Sequence, residues 1–218
     1  EVWPVPSKPW TLFLRQGGKL SAEAPADDPA IAYRYDPADP APTIGGHHTW
    51  GKDMGPLDQR PLRKRKDVLY FESEPLDRNV EITGKVKVDL HFSTDVPDTA
   101  FVVRLVDIYP DGEELLLRET GAMARYWPGL DAPADAIKPL EKNKPYRLSI
   151  DLHTVACTFA RGHRIGLIIT SSSQPAYEVH PNTFAPVPGM KEAAVANHSI
   201  LMSKDHASAL VLPVVEGR

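Results

Sequence analysis

The chain has one cysteine, Cys157, in 218 residues, which excludes an internal disulfide framework. No stretch approaches the ~20 apolar residues that a membrane-spanning helix needs, so no membrane partner is expected. An excess of one charge is missing too: 25 Lys and Arg face 29 Asp and Glu, a net charge of −4. The basic run from Arg60 to Lys66 is short and sits in this acidic chain. It reads as a solvated loop and speaks against a nucleic-acid partner. Helix signals are scarce: only Met190 to Ala196 could form a turn or two, with Pro188-Gly189 as its start. Glu1 is neither an initiator Met nor the start of a signal peptide, so the compartment is left open. The most telling absence is a motif. No serine stands in the Gly-x-Ser-x-Gly context of a nucleophile elbow, so the sequence offers no α/β-hydrolase nucleophile.

Proline, by contrast, is abundant, with 22 residues, about twice what an average usage near 5% would give. The prolines cluster in residues 1–9, 25–42, 128–145 and 175–188. Proline is excluded from helix interiors and central strands, so these clusters mark a lead-in segment over residues 1–30 and long connections.

Between them the apolar residues repeat with a period of two. Ile82, Val86, Val88, Leu90 and Phe92 alternate with Lys85, Lys87, Asp89 and His91, which predicts a strand over Val80 to Phe92 with one buried and one wet face. Phe101 to Tyr109 is nearly continuous in apolar residues, as expected of a strand buried on both faces. Pro110-Asp111-Gly112 then turns the chain into Glu114 to Arg118, a predicted hairpin. Tyr146 to Leu152 alternates again, and Arg161-Gly162-His163 between Thr154–Phe159 and Ile165–Thr170 predicts a second hairpin. Further strands are expected at Thr11–Arg15, Ile31–Tyr35, Val68–Glu72 and Leu210–Val215, the last closed off or bent at Pro213. Cys157 alternates with Val155 and Phe159, which suits a buried strand position better than a nucleophile. Many short strands with proline-rich connections predict one all-β domain over residues 1–218, a β-sandwich and most simply a jelly roll.

Several blocks occur in a characteristic order: Tyr35-Asp36-Pro37 through Thr43-Ile44-Gly45-Gly46, then Gly55-Pro56-Leu57-Asp58-Gln59-Arg60-Pro61, then Asp67-Val68-Leu69. Leu105-Val106-Asp107-Ile108-Tyr109-Pro110-Asp111-Gly112, Gly162-His163-Arg164-Ile165 and Ser171-Ser172-Ser173 follow. In these blocks the chain resembles the C-terminal domain of X-Pro dipeptidyl-peptidases and cocaine-esterase-like serine hydrolases. The resemblance implies a galactose-binding-domain-like jelly roll without catalytic residues. It also implies a partner, the α/β-hydrolase catalytic domain earlier in the same polypeptide, which supplies the Ser, Asp and His. Two segments depart from the family pattern. Tyr177-Glu178-Val179-His180-Pro181-Asn182-Thr183-Phe184 lacks an Arg-Asn pair and a glycine, and a His-Pro-Ser appears as His206-Ala207-Ser208.

The candidate site is the loop Gly45, Gly46, His47, His48, Thr49 and Trp50, since paired glycines permit positive φ and a sharp reversal. By resemblance this loop approaches the catalytic domain and lines the acyl side of its pocket, with Trp50 as a flat wall and His47 or His48 as a polar contact. The alternative is a structural turn whose aromatic packs at the domain interface. Zinc on His47, His48 and Asp53 is conceivable from the donor types, but adjacent histidines rarely converge on one ion, and no metal or cofactor is expected. His163 and Arg164 suit hydrogen bonds to loop carbonyls or to an interdomain carboxylate. Ser171 to Ser173, with no glycine context or base partner, reads as local strand closure. Arg125-Tyr126-Trp127-Pro128 reads as interior packing, with an exposed aromatic contact as the alternative. Two other functions are open to an inactive jelly roll: a carbohydrate-binding module, against which the dispersal of Trp3, Trp10, Trp50 and Trp127 speaks, or a protein-interaction domain that builds homo-oligomers.

Overall fold

Where the sequence alternates, the chain is extended. The computed structural model describes residues 5–25, 27–48, 53–185 and 192–215. Its strands are β1 (Ser7–Arg15), β2 (Lys19–Ser21), β3 (Asp27–Tyr35), β4 (Leu69–Glu72), β5 (Val80–Thr94), β6 (Ala100–Ile108), β7 (Glu114–Met123), β8 (Tyr146–Phe159), β9 (Arg164–Thr170), β10 (Ala196–Ser203) and β11 (Ala209–Val215). Only short 3₁₀ turns accompany them among the described residues, and none of these helices is long and apolar enough to cross a membrane.

The long strand β5 organises one layer. It pairs antiparallel with β8 along its length from Val80 to Phe92. On its other edge it meets β10 at Phe92–Thr94 and β11 between Ile82 and Asp89. From β11 the ladder runs through β1, β2 and β4 to β9, β6 and β7. The inward faces of the two layers enclose one core. Ile82, Val86, Val88, Leu90 and Phe92 of β5 meet Phe101, Val103 and Leu105 of β6, Leu148 and Ile150 of β8, and Ile165, Leu167 and Ile169 of β9. Each such side chain contributes about 1.5–3 kcal/mol by leaving water. The fold is therefore an all-β sandwich. A smaller cluster, Ala41, Leu62, Val68, Val106, Ile108, Leu116 and Ile168, lies on the other face of β6 and β9. It explains why β6 is buried on both faces.

Several expectations are corrected by the pairing. The hairpin at Pro110-Asp111-Gly112 forms as predicted, with Gly112 at φ 89° and β6 antiparallel to β7. The one at Arg161-Gly162-His163 does not. β8 pairs with β5, whereas β9 pairs with β4 and β6, so this turn carries the chain from one layer to the other. Tyr146–Leu152 and Thr154–Phe159 are one strand, interrupted where His153 takes φ 63° opposite a register shift at Lys85/Lys87. β11 continues past Pro213, with its register on β5 shifting between Val211 and Val214. The short β2 and the strand β10 were not foreseen. Of the helix expected at Met190–Ala196, residues 190–191 and Pro188-Gly189 lie outside the described residues. Residues 192–195 are irregular and Ala196 opens β10. The run from Arg60 to Lys66 is a 3₁₀ turn over Arg60–Lys64 rather than a loop, and it is not simply solvated. Arg63 pairs with Glu72 and Glu114, and Arg65 with Asp67 at 2.8 Å.

Candidate functional site

The segment from Ala41 to Leu57 is anchored on both sides of the glycine loop. Ahead of it, the Ala41 amide donates to Ser172 Oγ at 2.8 Å, Thr43 Oγ1 lies 3.0 Å from Ser173 Oγ, and the Thr43 amide donates to the Gln174 carbonyl at 2.7 Å. Behind it, the Leu116 amide donates to Leu57 O at 3.2 Å and the Gln59 amide to Glu114 O at 2.8 Å, so residues 57–59 lie along β7. The buried Gln59 side chain ties the two flanks together, its Nε2 donating to both Ile44 O and Leu57 O at 2.9 Å.

Between these anchors the loop is pinched shut by glycine. Gly46 and Gly55 exchange both backbone hydrogen bonds, at 2.8 and 2.9 Å, which brings the two ends of the intervening segment together. Gly45 has φ 67°, and a Cβ there would stand 2.4 Å from Gly55 O. That separation is far below contact distance, so only glycine fits. Gly46 at φ 108° has ordinary space around it and is needed for its backbone conformation alone. His47 is exposed, His48 is half-buried and Met54 is exposed. Thr49 and Trp50 lie outside the described residues. Beside the pinch is a cavity of 340 Å³ lined by Gly46, His47, Gly55, Pro56, Leu116, Leu117, Arg118 and Glu119.

The cavity floor rests on buried charge. Glu119 of β7 pairs with Arg104 of β6, whose side chain is fully buried, and Ser173 Oγ donates to the same carboxylate at 3.0 Å. The serine run is therefore not a local strand closure. Ser171 reaches Tyr33 OH at 2.8 Å, Ser172 takes the Ala41 amide, and Ser173 bridges Thr43 to Glu119. Arg104 and Glu119 went unrecognised as a site, although a lone arginine in the apolar run of β6 was a legible signal. An arginine is buried at such a position only with an anionic partner.

A second buried pair resembles part of a hydrolytic triad without its chemistry. His180 Nε2 is 3.1 Å from Asp98 Oδ2, but its Nδ1 accepts the Asn182 amide at 3.0 Å. Both ring nitrogens are thus committed, in a side chain that is 2% exposed, and the imidazole cannot act as a general base toward a hydroxyl. Arg125 donates to the same Asp98 at 2.6 Å. Its neighbours Tyr126 and Trp127 are exposed, contrary to the expected interior packing.

Gly162 supplies the turn at φ 85°. His163 Nδ1 lies 2.9 Å from Asp107 Oδ1 and Arg164 donates to Ser73 O at 2.9 Å, so their partners are within the chain. Cys157 is half-buried on β8 opposite Ile82, and burial pushes its thiol up to about 12, an inert state. Among the described residues no group of three or more His, Cys, Asp or Glu is placed to hold a metal ion.

The chain is similar to known proteins along nearly its whole length. Cocaine esterase from Rhodococcus sp. (strain MB1 Bresler) is 34% identical over 227 residues, covering 98% of this chain and 39% of that protein. The solved α-amino acid ester hydrolase superposes with a TM-score of 0.82 at 31% identity, over 95% of this chain and 36% of its own. An aminopeptidase from a marine-sediment Thaumarchaeota archaeon gives a TM-score of 0.88 at 28% identity, over 99% of this chain and 38% of its own. The chain thus spans less than two-fifths of each of these relatives. Residues 1–211 match the X-Pro dipeptidyl-peptidase C-terminal non-catalytic domain, and the chain belongs to that family.

Proposed function

We propose that this chain is the accessory wall of a serine hydrolase. In this reading it packs on an α/β-hydrolase catalytic domain of the same polypeptide, and the loop Gly45–Trp50 shapes the rim of that domain's substrate pocket. The observation that carries the reading is the glycine pinch. The Gly46–Gly55 pair fixes the two ends of the segment beside a 340 Å³ cavity and sets His47 at its edge, as substrate positioning requires. The chemistry would be acyl transfer to water, on an ester or on an amide after proline, by a Ser-His-Asp triad in the catalytic domain. This chain would contribute apolar wall, water exclusion and the polar edge at His47. The names of the relatives, two of them ester-cleaving and one an aminopeptidase, favour an ester or amide bond, and the family's description as X-Pro dipeptidyl-peptidase favours proline.

The test is kinetic. In the full protein, His47→Ala and Trp50→Ala should change the ratio of kcat/KM between short and bulky acyl esters by about tenfold, the scale of a reshaped apolar pocket, with the melting temperature unmoved. An unchanged ratio in both variants would remove the loop from the pocket. The 218-residue chain alone should hydrolyse neither esters nor X-Pro amides; turnover abolished by a serine-directed reagent would overturn the non-catalytic role.

A further inference from the structure

The turn His206-Ala207-Ser208 lies away from the glycine loop and has no part in the pocket reading. Its His206 ring faces His91 of β5, centroid to centroid at 5.8 Å and inclined by 71°. Both imidazoles line a surface notch of 490 Å³ with Trp127, Pro128, Lys144, Pro145, Tyr146 and Arg147. Neither ring makes a side-chain hydrogen bond to a described residue, although a half-buried imidazole ordinarily has a partner. Their placement is fixed from behind. Buried Ser208 accepts the His91 amide at 2.9 Å and donates to Leu201 O at 2.7 Å, so one hydroxyl joins β5 to the strand entering the turn. The His206 amide donates to Ser203 O at 3.2 Å, and Ala207 pairs with Met202.

We infer that His91 and His206 form a two-imidazole site for a borderline divalent transition-metal ion, Zn²⁺ or Cu²⁺, with water filling the remaining positions. Imidazole nitrogens bind such ions at about 2.0–2.1 Å, and two rings sharing one tetrahedral ion have centroids roughly 5–6 Å apart. The notch is wide enough for the ion and its waters. The cations around it are neutralised: Arg147 pairs with Asp89 at 2.9 Å and Lys144 with Glu141 at 2.6 Å, while Asp205 adjoins His206 on the exposed turn. A bound ion would tie β5 to the β10–β11 turn.

The experiment uses the full protein after chelation, titrated with Zn²⁺ by calorimetry and with Cu²⁺ by tryptophan fluorescence, since Trp127 shares the notch. His91→Asn and His206→Asn should each weaken a saturable site at least about tenfold, because loss even of an outer-shell partner costs that much. The double variant His47→Asn/His48→Asn should leave it intact. Trp127→Phe should keep the Zn²⁺ isotherm and lose the Cu²⁺ quench. Equal affinity in the parent and both single variants, or no saturable binding at millimolar ion, overturns the site. His206 lies in a turn, so His206→Asn decides the matter even where His91→Asn unfolds β5.

Discussion

Acid should loosen this sandwich through one histidine. His198 of β10 is 1% exposed, packed among the rings of Tyr33, Tyr35 and Phe101 at 5.1 to 6.4 Å. Its ring nitrogens meet two hydroxyls, Thr94 Oγ1 at 3.0 Å and Thr99 Oγ1 at 3.3 Å. Burial pushes its pKa down to about 4 from 6.5, with His180 acting in the same direction and Asp95 opposing. The unfolded chain therefore binds the proton first. The resulting stability is whole above pH 6.5 and is lost as pH falls toward 4. A shift of this size gives about 2–3 kcal/mol of lost stability between roughly pH 7.5 and pH 4.5, at 1.36 kcal/mol per unit. Urea unfolding at the two pH values reads it directly. Carboxylates titrate in the same window, so the informative quantity is the difference from His198→Gln, an amide that can still bond Thr94 and Thr99 but takes up no proton. The variant should lose about 2 kcal/mol less on acidification. If both proteins lose the same amount, or if the His198 ring titrates near 6.5 by NMR, the reasoning fails.

Two further outcomes follow from buried groups. Arg104→Met strands the Glu119 carboxylate and should cost about 3–5 kcal/mol in urea unfolding, whereas Arg104→Met with Glu119→Leu should recover most of it. Two of the Arg104 nitrogens have no partner among the described residues, which favours that recovery; a double variant as weak as the single would refute it. Cys157, its thiol pushed up to about 12, should react with a thiol reagent at pH 8 only after denaturation, and rapid labelling of the folded chain would contradict its packing.

Legibility in the sequence tracked how local the physics was. β5 could be read residue by residue because a side chain's face is set by its own position in the pleat. β10 could not, since its inward row of Ala196, His198, Ile200 and Met202 includes an imidazole that looks polar until its aromatic surroundings are known. β2, with three residues, is too short to show any period. The glycine loop was legible as a turn from Gly45-Gly46, but its closure depended on Gly55, nine residues beyond Gly46 and brought opposite it only by folding.

The sequence by itself determined the class of the molecule: strands from period-two burial, connections from proline, the family from ordered blocks, and the absence of a nucleophile elbow from the serine contexts. Only the tertiary structure decided which strands are neighbours, sending β8 to β5 and β9 to β4 and β6 against the hairpin their adjacency suggested. It also decided which polar groups share the interior, joining Arg104 to Glu119 and His180 to Asp98. The reason is common to both. Strand pairing and charge pairing are set by distance in space, and residues 82 positions apart, such as Asp98 and His180, leave no local pattern by which the chain could announce that they meet.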